Sequence, residues 1–183
     1  MKKYFLASFL LLSIFLICVS NVSDKGNINV IKNVQPENNT TNRIDGSFFN
    51  GSWTYRSLLN DADWKQPFDR LQFANAIMDL RTFGKDSISG ILYWADNPKQ
   101  GLNIRGKYYY QDTITCYSLV GTGTKALGTP GWQYDYKGSI VPKWSNGIKQ
   151  ADVLVGSTIR TKPHNGAPAG FVATTYMVRR SNR

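Results

Sequence analysis

Cysteine and histidine are the scarcest chemistry-bearing residues of this chain. Its 183 residues include two cysteines and one histidine. Cys18 falls within a predicted export signal, so Cys116 would remain alone and no intramolecular disulfide could form. Cys116 lies in an alternating stretch and is predicted to be a buried, unreactive thiol. A single histidine with no second histidine or cysteine beside it argues against a metal site, and the sequence implies no cofactor.

Signatures of catalysis and of nucleic-acid binding are also missing. The chain has no phosphate-binding Gly-x-x-x-x-Gly-Lys-Ser/Thr loop, no Gly-x-Ser-x-Gly elbow, no His-Glu-x-x-His and no Cys-x-x-Cys. No helix-turn-helix, zinc-finger or RNA-binding pattern accompanies the basic residues, so no specific nucleic acid is predicted as a partner. The absences exclude enzymes that such motifs define, and they leave open whether the protein is an enzyme of another kind.

Acidic residues are few. Twelve Asp and Glu stand against 22 Lys and Arg, which gives a formal net charge of +10. The basic residues are spread along the chain, apart from a small cluster over 179–183. In an exported protein this charge favours an anionic surface, such as cell-wall polymers, lipid head groups or nucleic acid, and together with the many aromatic residues it also fits a protein partner. An ordinary solvated surface is the alternative interpretation.

The N-terminal 45 residues differ in composition from the rest. Lys2 and Lys3 precede the apolar run 4–17, and small residues follow it at 18–20, which predicts a signal peptide over residues 1–20 and export to the periplasm or the medium. An uncleaved membrane anchor and a lipoprotein modified at Cys18 are the alternatives. Residues 21–45 are rich in Asn and poor in large apolar side chains, which predicts a disordered tether. The folded domain is then expected over residues 46–183.

Short segments with a period of two fill the chain from about Gly46 to Arg179, and no long helical stripe interrupts them. Turn-forming pairs such as Asn146-Gly147 and Asn165-Gly166 separate the segments. Eight strands are predicted, over 48–57, 71–83, 88–95, 102–110, 114–121, 132–141, 153–161 and 170–179. The alanine-rich centre of the second could equally be helical. The pattern predicts an all-β fold, an eight-stranded antiparallel up-and-down β-barrel with room for packed side chains or one small ligand.

Two stretches resemble calycin barrels, the lipocalins and avidins. Phe49-Asn50-Gly51-Ser52-Trp53 is similar to the Gly-x-Trp start of that group, and the end of the chain, 154–160 followed by 170–173, is similar to the end of avidins. The resemblance implies an avidin- or lipocalin-like barrel. The polar loop residues by which avidins hold biotin have no counterparts here, so the resemblance implies a scaffold and not a ligand. Avidin-like barrels often assemble, which leaves a homo-oligomer open.

Aromatic and charged residues on the predicted strands supply a candidate ligand site. If the aromatic faces point inward, they line a cavity suited to a ring or a sugar, with polar recognition from charged residues nearby. An inward Asp135 could pair with Arg160, and an inward Arg56 could pair with Asp79 or bind an anion. The alternative is a packed aromatic core with the charges outside, because one residue of register inverts every assignment. The candidate wall comprises Trp53, Tyr55, Trp132, Tyr134 and Tyr136, and the candidate polar residues are Arg56, Asp135 and Arg160.

His164 lies in the loop predicted between the last two strands, within Pro163-His164-Asn165-Gly166. At the mouth of a barrel it would suit a ligand contact or a general base. The alternative is that the segment serves only as a turn.

Three functions remain open from the sequence. The first is the binding of a small or medium ligand inside the barrel. The second is a tethered structural or protein-binding module that acts through its outer face. The third is an enzyme on the same scaffold, such as a cyclase or isomerase, which would need a buried titratable residue with a partner. Asp135 with Arg160, or His164 at the mouth, are the candidates for that role.

Overall fold

The computed structural model describes residues 44–181. A short 3₁₀ helix, Gly46–Phe49, precedes the first strand, and one helical turn, α1 (Phe68–Leu71), precedes the second. The eight strands are β1 (Gly51–Leu59), β2 (Gln72–Phe83), β3 (Ser87–Trp94), β4 (Gly101–Gln111), β5 (Ile114–Thr122), β6 (Gln133–Ile140), β7 (Val153–Arg160) and β8 (Val172–Arg179). The predicted signal peptide, and the predicted tether up to residue 43, lie outside the described residues.

The strands form a closed barrel in which each strand pairs antiparallel with the next in sequence. Closure comes from β1 and β8, whose register sets Trp53 opposite Arg179 and Leu59 opposite Ala173. The predicted all-β fold, an eight-stranded antiparallel up-and-down barrel, is confirmed. Among the described residues, no helix is long and apolar enough to cross a membrane.

Two local predictions have clear outcomes. The alanine-rich segment that could equally have been helical is strand β2, because its alternate residues Ala76, Met78 and Leu80 are buried together inside the barrel. The prediction that the first strand begins at Phe48 is wrong. The chain turns through the 3₁₀ helix first, and the strand begins at Gly51.

The burial pattern shows which face of each strand points into the barrel. Trp53, Tyr55 and Ser57 of β1 point inward, whereas Arg56 between them is exposed. In β6, Tyr134 and Tyr136 are buried and Lys137 is exposed. The aromatic faces are therefore the inner faces. Cys116 is a free, buried thiol, as predicted.

One end of the barrel is closed by aromatic packing beneath the 3₁₀ helix. Phe49 is 1% exposed, and its ring lies 5.6 Å from the ring of Tyr108 and 6.3 Å from that of Tyr117. The indole Nε1–H of Trp53 donates to the carbonyl of Phe49 at 3.0 Å. The Arg179 guanidinium covers the Trp53 ring, 4.3 Å from its centroid. The rings of Phe49, Trp53 and Tyr117 are thus almost fully buried at this end.

Two glycines face each other on β6 and β7 and make room for the deepest tyrosine. Gly138 and Gly156 are partners in register. A Cβ on Gly156 would lie 2.8 Å from the hydroxyl oxygen of Tyr117, which is fully buried. The Tyr117 hydroxyl lies 3.4 Å from the carbonyl oxygen of Val155, to which it donates. Glycine is therefore required by close approach here, and the middle of the barrel is filled by a ring.

Candidate functional site

A cavity of about 230 Å³ lies at the opposite end of the barrel. In an up-and-down barrel, the ends of the odd strands and the starts of the even strands meet at one end, together with the loops that join them. The cavity is bounded there by these strand ends and by the β7–β8 loop. Its lining comprises Tyr55, Phe73, Ala74, Leu92, Trp94, Leu102, Trp132, Tyr134, Tyr136, Arg160, His164, Asn165 and Ala167.

Aromatic rings from opposite sides of the barrel meet across this cavity. Rings on or beside β6 pair edge-to-face with rings of β1, β2 and β3, at near-perpendicular angles that suit the ring quadrupoles. The centroid distances are 5.9 Å for Tyr55–Tyr136, 6.2 Å for Phe73–Tyr134 and 5.6 Å for Trp94–Trp132. Tyr55 and Tyr136 form the floor, being 2% and 3% exposed, while Trp94 and Trp132 are half-buried nearer the mouth. The arrangement gives flat apolar walls that suit a planar ring.

The β7–β8 loop places His164 over the cavity. His164 and Ala167 exchange two backbone hydrogen bonds, at 3.1 and 3.0 Å, around Asn165 and Gly166. Both central residues have positive φ, 50° and 73°, the geometry for which Asn-Gly is the preferred pair. The segment is the turn that the sequence indicated, and the turn serves to position the imidazole.

The His164 ring is held by two aromatic neighbours. It stacks on Trp132 with centroids 3.9 Å apart and planes 13° apart. Its Nε2 lies 2.7 Å from the hydroxyl oxygen of Tyr134. Burial lowers the pKa of His164 below its usual value, and the nearby Arg160 charge lowers it further. The neutral imidazole therefore predominates at pH 7.

The tyrosine hydroxyls around the cavity stay protonated at physiological pH. Burial raises the pKa of both Tyr55 and Tyr136 well above the usual value for tyrosine. Burial also raises the pKa of Tyr134, although the neighbouring Arg160 opposes that shift. A protonated Tyr134 can donate to His164 Nε2, which leaves the imidazole proton on Nδ1.

Arg160 brings the cavity its only charged side chain among the lining residues. It ends β7, opposite Tyr134 in register. Its guanidinium carbon lies 5.5 Å from the ring centroid of Phe73 and 5.6 Å from that of Phe171, and Nη1 donates to the carbonyl of Pro168 at 3.3 Å. Within residues 44–181, both ion pairs involve Asp152, so Arg160 has no acidic partner there.

The structure brings Tyr55, Trp132, Tyr134, Tyr136, Arg160 and His164 together at the cavity. It places Trp53 elsewhere, at the closed end of the barrel, where the indole is 0% exposed and packs beneath Arg179. Trp53 therefore supports the fold and does not line the cavity.

Arg56 and Asp135 lie on the outer face. Arg56 is exposed, and its Nη1 is 3.2 Å from the hydroxyl of Tyr176. The expected pair with Asp79 is not formed, because Asp79 pairs in register with Ser52, four residues along β1. Asp135 is half-buried opposite Ile159, one position from Arg160, so the two side chains belong to opposite faces and the expected Asp135–Arg160 pair is wrong.

Several lining residues were not among those predicted from the sequence, chiefly Phe73, Trp94, Leu92 and Leu102. The up-and-down order of the strands already indicates the end of the barrel at which these residues lie. Phe73 is the second residue of β2 and Trp94 ends β3, so an up-and-down order places both at the end of the barrel where Trp132 and Arg160 lie. Combining the predicted order with distance along each strand would have identified them.

Fold and site together define a closed antiparallel barrel with an aromatic cavity at one end, an arrangement compatible with the binding of a ligand. No family model, no curated protein and no solved structure matches the chain. In the part of the chain that the structure describes, no three metal-ligating side chains form a cluster. The site is therefore argued from its geometry.

Proposed function

We propose that this chain is an exported barrel of calycin type that binds a small ligand in its aromatic cavity. The observation that carries the proposal is the contrast between the two ends of the barrel. One end is packed with rings that are almost fully buried, and the other encloses about 230 Å³ of space between aromatic walls. A packed core at both ends would serve stability alone, whereas a shaped space with a few polar groups is typical of ligand sites.

The size of the cavity favours a small ligand over a medium one. Sites for drug-sized molecules span about 300–1,000 Å³, and a cavity of about 150 Å³ holds one benzene molecule. The space of about 230 Å³ therefore suits one ring with a short substituent. The Gly51-Ser52-Trp53 start, on which the calycin resemblance rests, lies where β1 leaves the closed end. Export, and attraction to anionic surfaces, are supported by the signal-like N-terminus and the charge of +10.

A protein-binding role is the second candidate, and exposed aromatic residues favour it. In the β1–β2 connection, Trp64 is 87% and Phe68 78% exposed. Large aromatic side chains in contact with water are typical of interfaces. Of the two candidates for the cyclase or isomerase alternative, the Asp135–Arg160 pair and His164, only His164 remains at the cavity, because Asp135 lies outside.

Filling the cavity tests the proposed function. Ala74 lines the space, and in Ala74→Phe the new ring would occupy a large part of it. Ala151→Phe adds the same ring at an exposed position and serves as the control. The full chain is screened against single-ring compounds by thermal shift, and any compound that binds is titrated by calorimetry. We expect Ala74→Phe to weaken binding at least about tenfold and Ala151→Phe to leave it unchanged.

Native mass spectrometry of the full chain, purified gently from its own host, supplies an independent measurement. A retained small molecule that is absent from Ala74→Phe would support the cavity as its site, and the same spectrum reports any assembly. A bare chain that also binds none of the ring compounds would overturn the proposal in favour of the protein-binding role. Equal binding by Ala74→Phe and the unaltered protein would place the ligand elsewhere.

A further inference from the structure

We propose that the cavity selects a small planar anion, namely one aromatic ring that carries a carboxylate. The inference rests on the proposed function and names the class of ligand that the same site would take. Three features carry it: the shape of the walls, the position of one arginine, and two polar atoms that lack partners.

The walls favour a flat ring. The space is bounded by edge-to-face tyrosine, phenylalanine and tryptophan pairs, and its floor is the Tyr55–Tyr136 pair. A ring placed between such walls gains both apolar burial and favourable quadrupole contacts. A long acyl chain would not fit, because the Tyr117 ring fills the middle of the barrel beyond the floor.

Arg160 supplies the preference for an anion. It is the only charged group of the lining, and no acidic side chain of the described residues lies within ion-pair distance of it. Aromatic rings flank the guanidinium, and the Pro168 carbonyl accepts one of its hydrogen bonds. A guanidinium held in one place presents a planar fork of N–H groups that matches a carboxylate. One cation beside a neutral imidazole suits a monoanion better than a dianion.

Two polar atoms of the residues that line the cavity are buried and lack partners. Arg160 Nε and His164 Nδ1 are both inaccessible and make no hydrogen bond in the structure. Buried donors without partners are costly, and native proteins seldom keep them without a reason. A small shift of the two side chains around a bound carboxylate would give both donors an acceptor. The outer-face Arg56, in contrast, already contacts the Tyr176 hydroxyl and is exposed.

The test compares benzoate with benzamide, which has nearly the same shape and no charge. Calorimetry on the full chain at pH 7 is expected to show benzoate binding about tenfold or more tightly than benzamide. Arg160→Gln should abolish this preference while retaining weak binding of both rings. Arg160→Lys should restore part of it, since lysine keeps the charge and loses the fork. Arg56→Gln is the matched control and should keep the full preference.

The possible outcomes separately test the cavity, the preference for an anion, the role of Arg160 and the need for a ring. If neither ring binds the unaltered protein, the cavity proposal itself fails. If both bind equally, the cavity binds rings but the anion inference is wrong. If the preference survives Arg160→Gln, the charge that selects the anion lies elsewhere, and the assignment of Arg160 is wrong. If inorganic phosphate displaces benzoate at equal concentration, the site is a general anion site and the need for a ring is overturned.

Discussion

His164 shows at the scale of one residue how the fold changes a side chain's chemistry. The imidazole is stacked on Trp132, hydrogen-bonded to Tyr134 and close to the Arg160 charge. Burial and that charge both disfavour the imidazolium, so its pKa lies below the usual value of about 6.5. Because the chain has a single histidine, its titration can be followed without overlap from another.

We expect the His164 ring signals in an NMR titration to have a midpoint below 6.5. In the unfolded chain the imidazole takes up its proton first as the pH falls. The contribution of His164 to stability is therefore present in full above pH 6.5 and is lost as the pH falls toward the folded-state pKa. Arg160→Gln should move the midpoint upward, because it removes a repelling charge, and Arg56→Gln should not. A midpoint above 6.5 in the unaltered protein would contradict this account of the site.

Among the structural elements, Arg179 connects β8, β1 and the 3₁₀ helix through its contacts. It belongs to β8, covers the Trp53 ring of β1, and donates to the carbonyl oxygens of Phe48 and Asn50 around the 3₁₀ helix. Its Nε also donates to Asp152 at 2.7 Å, in the segment that leads into β7. One half-buried cation thus satisfies the backbone carbonyls at the turn where the chain enters the barrel.

Replacing this arginine should loosen the closed end. Arg179→Met keeps an apolar stem over Trp53 but removes the hydrogen bonds to two backbone carbonyls and to Asp152. We expect the free energy of unfolding in urea to fall by about 2 kcal/mol. Arg180→Met changes the next residue, which is exposed and whose Nη1 lies 3.3 Å from the Ser52 hydroxyl, and should cost less than about 0.5 kcal/mol. Equal losses in the two variants would show that Arg179 does not hold this end.

At the scale of the whole molecule, period-two alternation was enough to predict the eight strands and their order. The signal is strong because the two faces of each strand meet different environments, with rings such as Tyr134 and Tyr136 inside and Lys137 outside. Asn165-Gly166 was predicted as a turn because this pair tolerates positive φ. In the structure both residues have positive φ.

The site could be predicted only in part, since it depends on register and on position along the barrel axis. The inward aromatic residues follow from alternation, but Trp53 and Tyr55 share one face and still lie in different places. Trp53 packs at the closed end, whereas Tyr55 is part of the cavity floor. Asp135 and Arg160 looked like partners from sequence, and a one-residue offset in register separates them to opposite faces. Neither the position of Trp53 along the barrel nor the register between Asp135 and Arg160 can be predicted from the sequence of a single strand.

The contrast between the two ends predicts a gradient of stability along the barrel. Near the closed end, Trp53 pairs with Arg179 beneath fully buried rings. Near the cavity, the β1–β2 register shifts between Ser57 and Leu58, and Phe171 is 43% exposed. Strand ends with interrupted ladders and fewer buried neighbours open locally, while well-packed strands exchange their amides only on global unfolding.

Amide hydrogen exchange measured by NMR on the full chain tests this gradient. We expect amides of β1 and β8 near Trp53 and Arg179 to exchange at the rate of global unfolding, and those near Leu58 and Ala173 to exchange faster by about tenfold or more. Saturating benzoate should slow exchange mainly at the cavity end, because a ligand stabilises the state to which it binds. Arg179→Met should instead accelerate exchange at the closed end. Uniform protection along β1 and β8 would mean that the barrel opens as one unit, and that the cavity creates no weaker end.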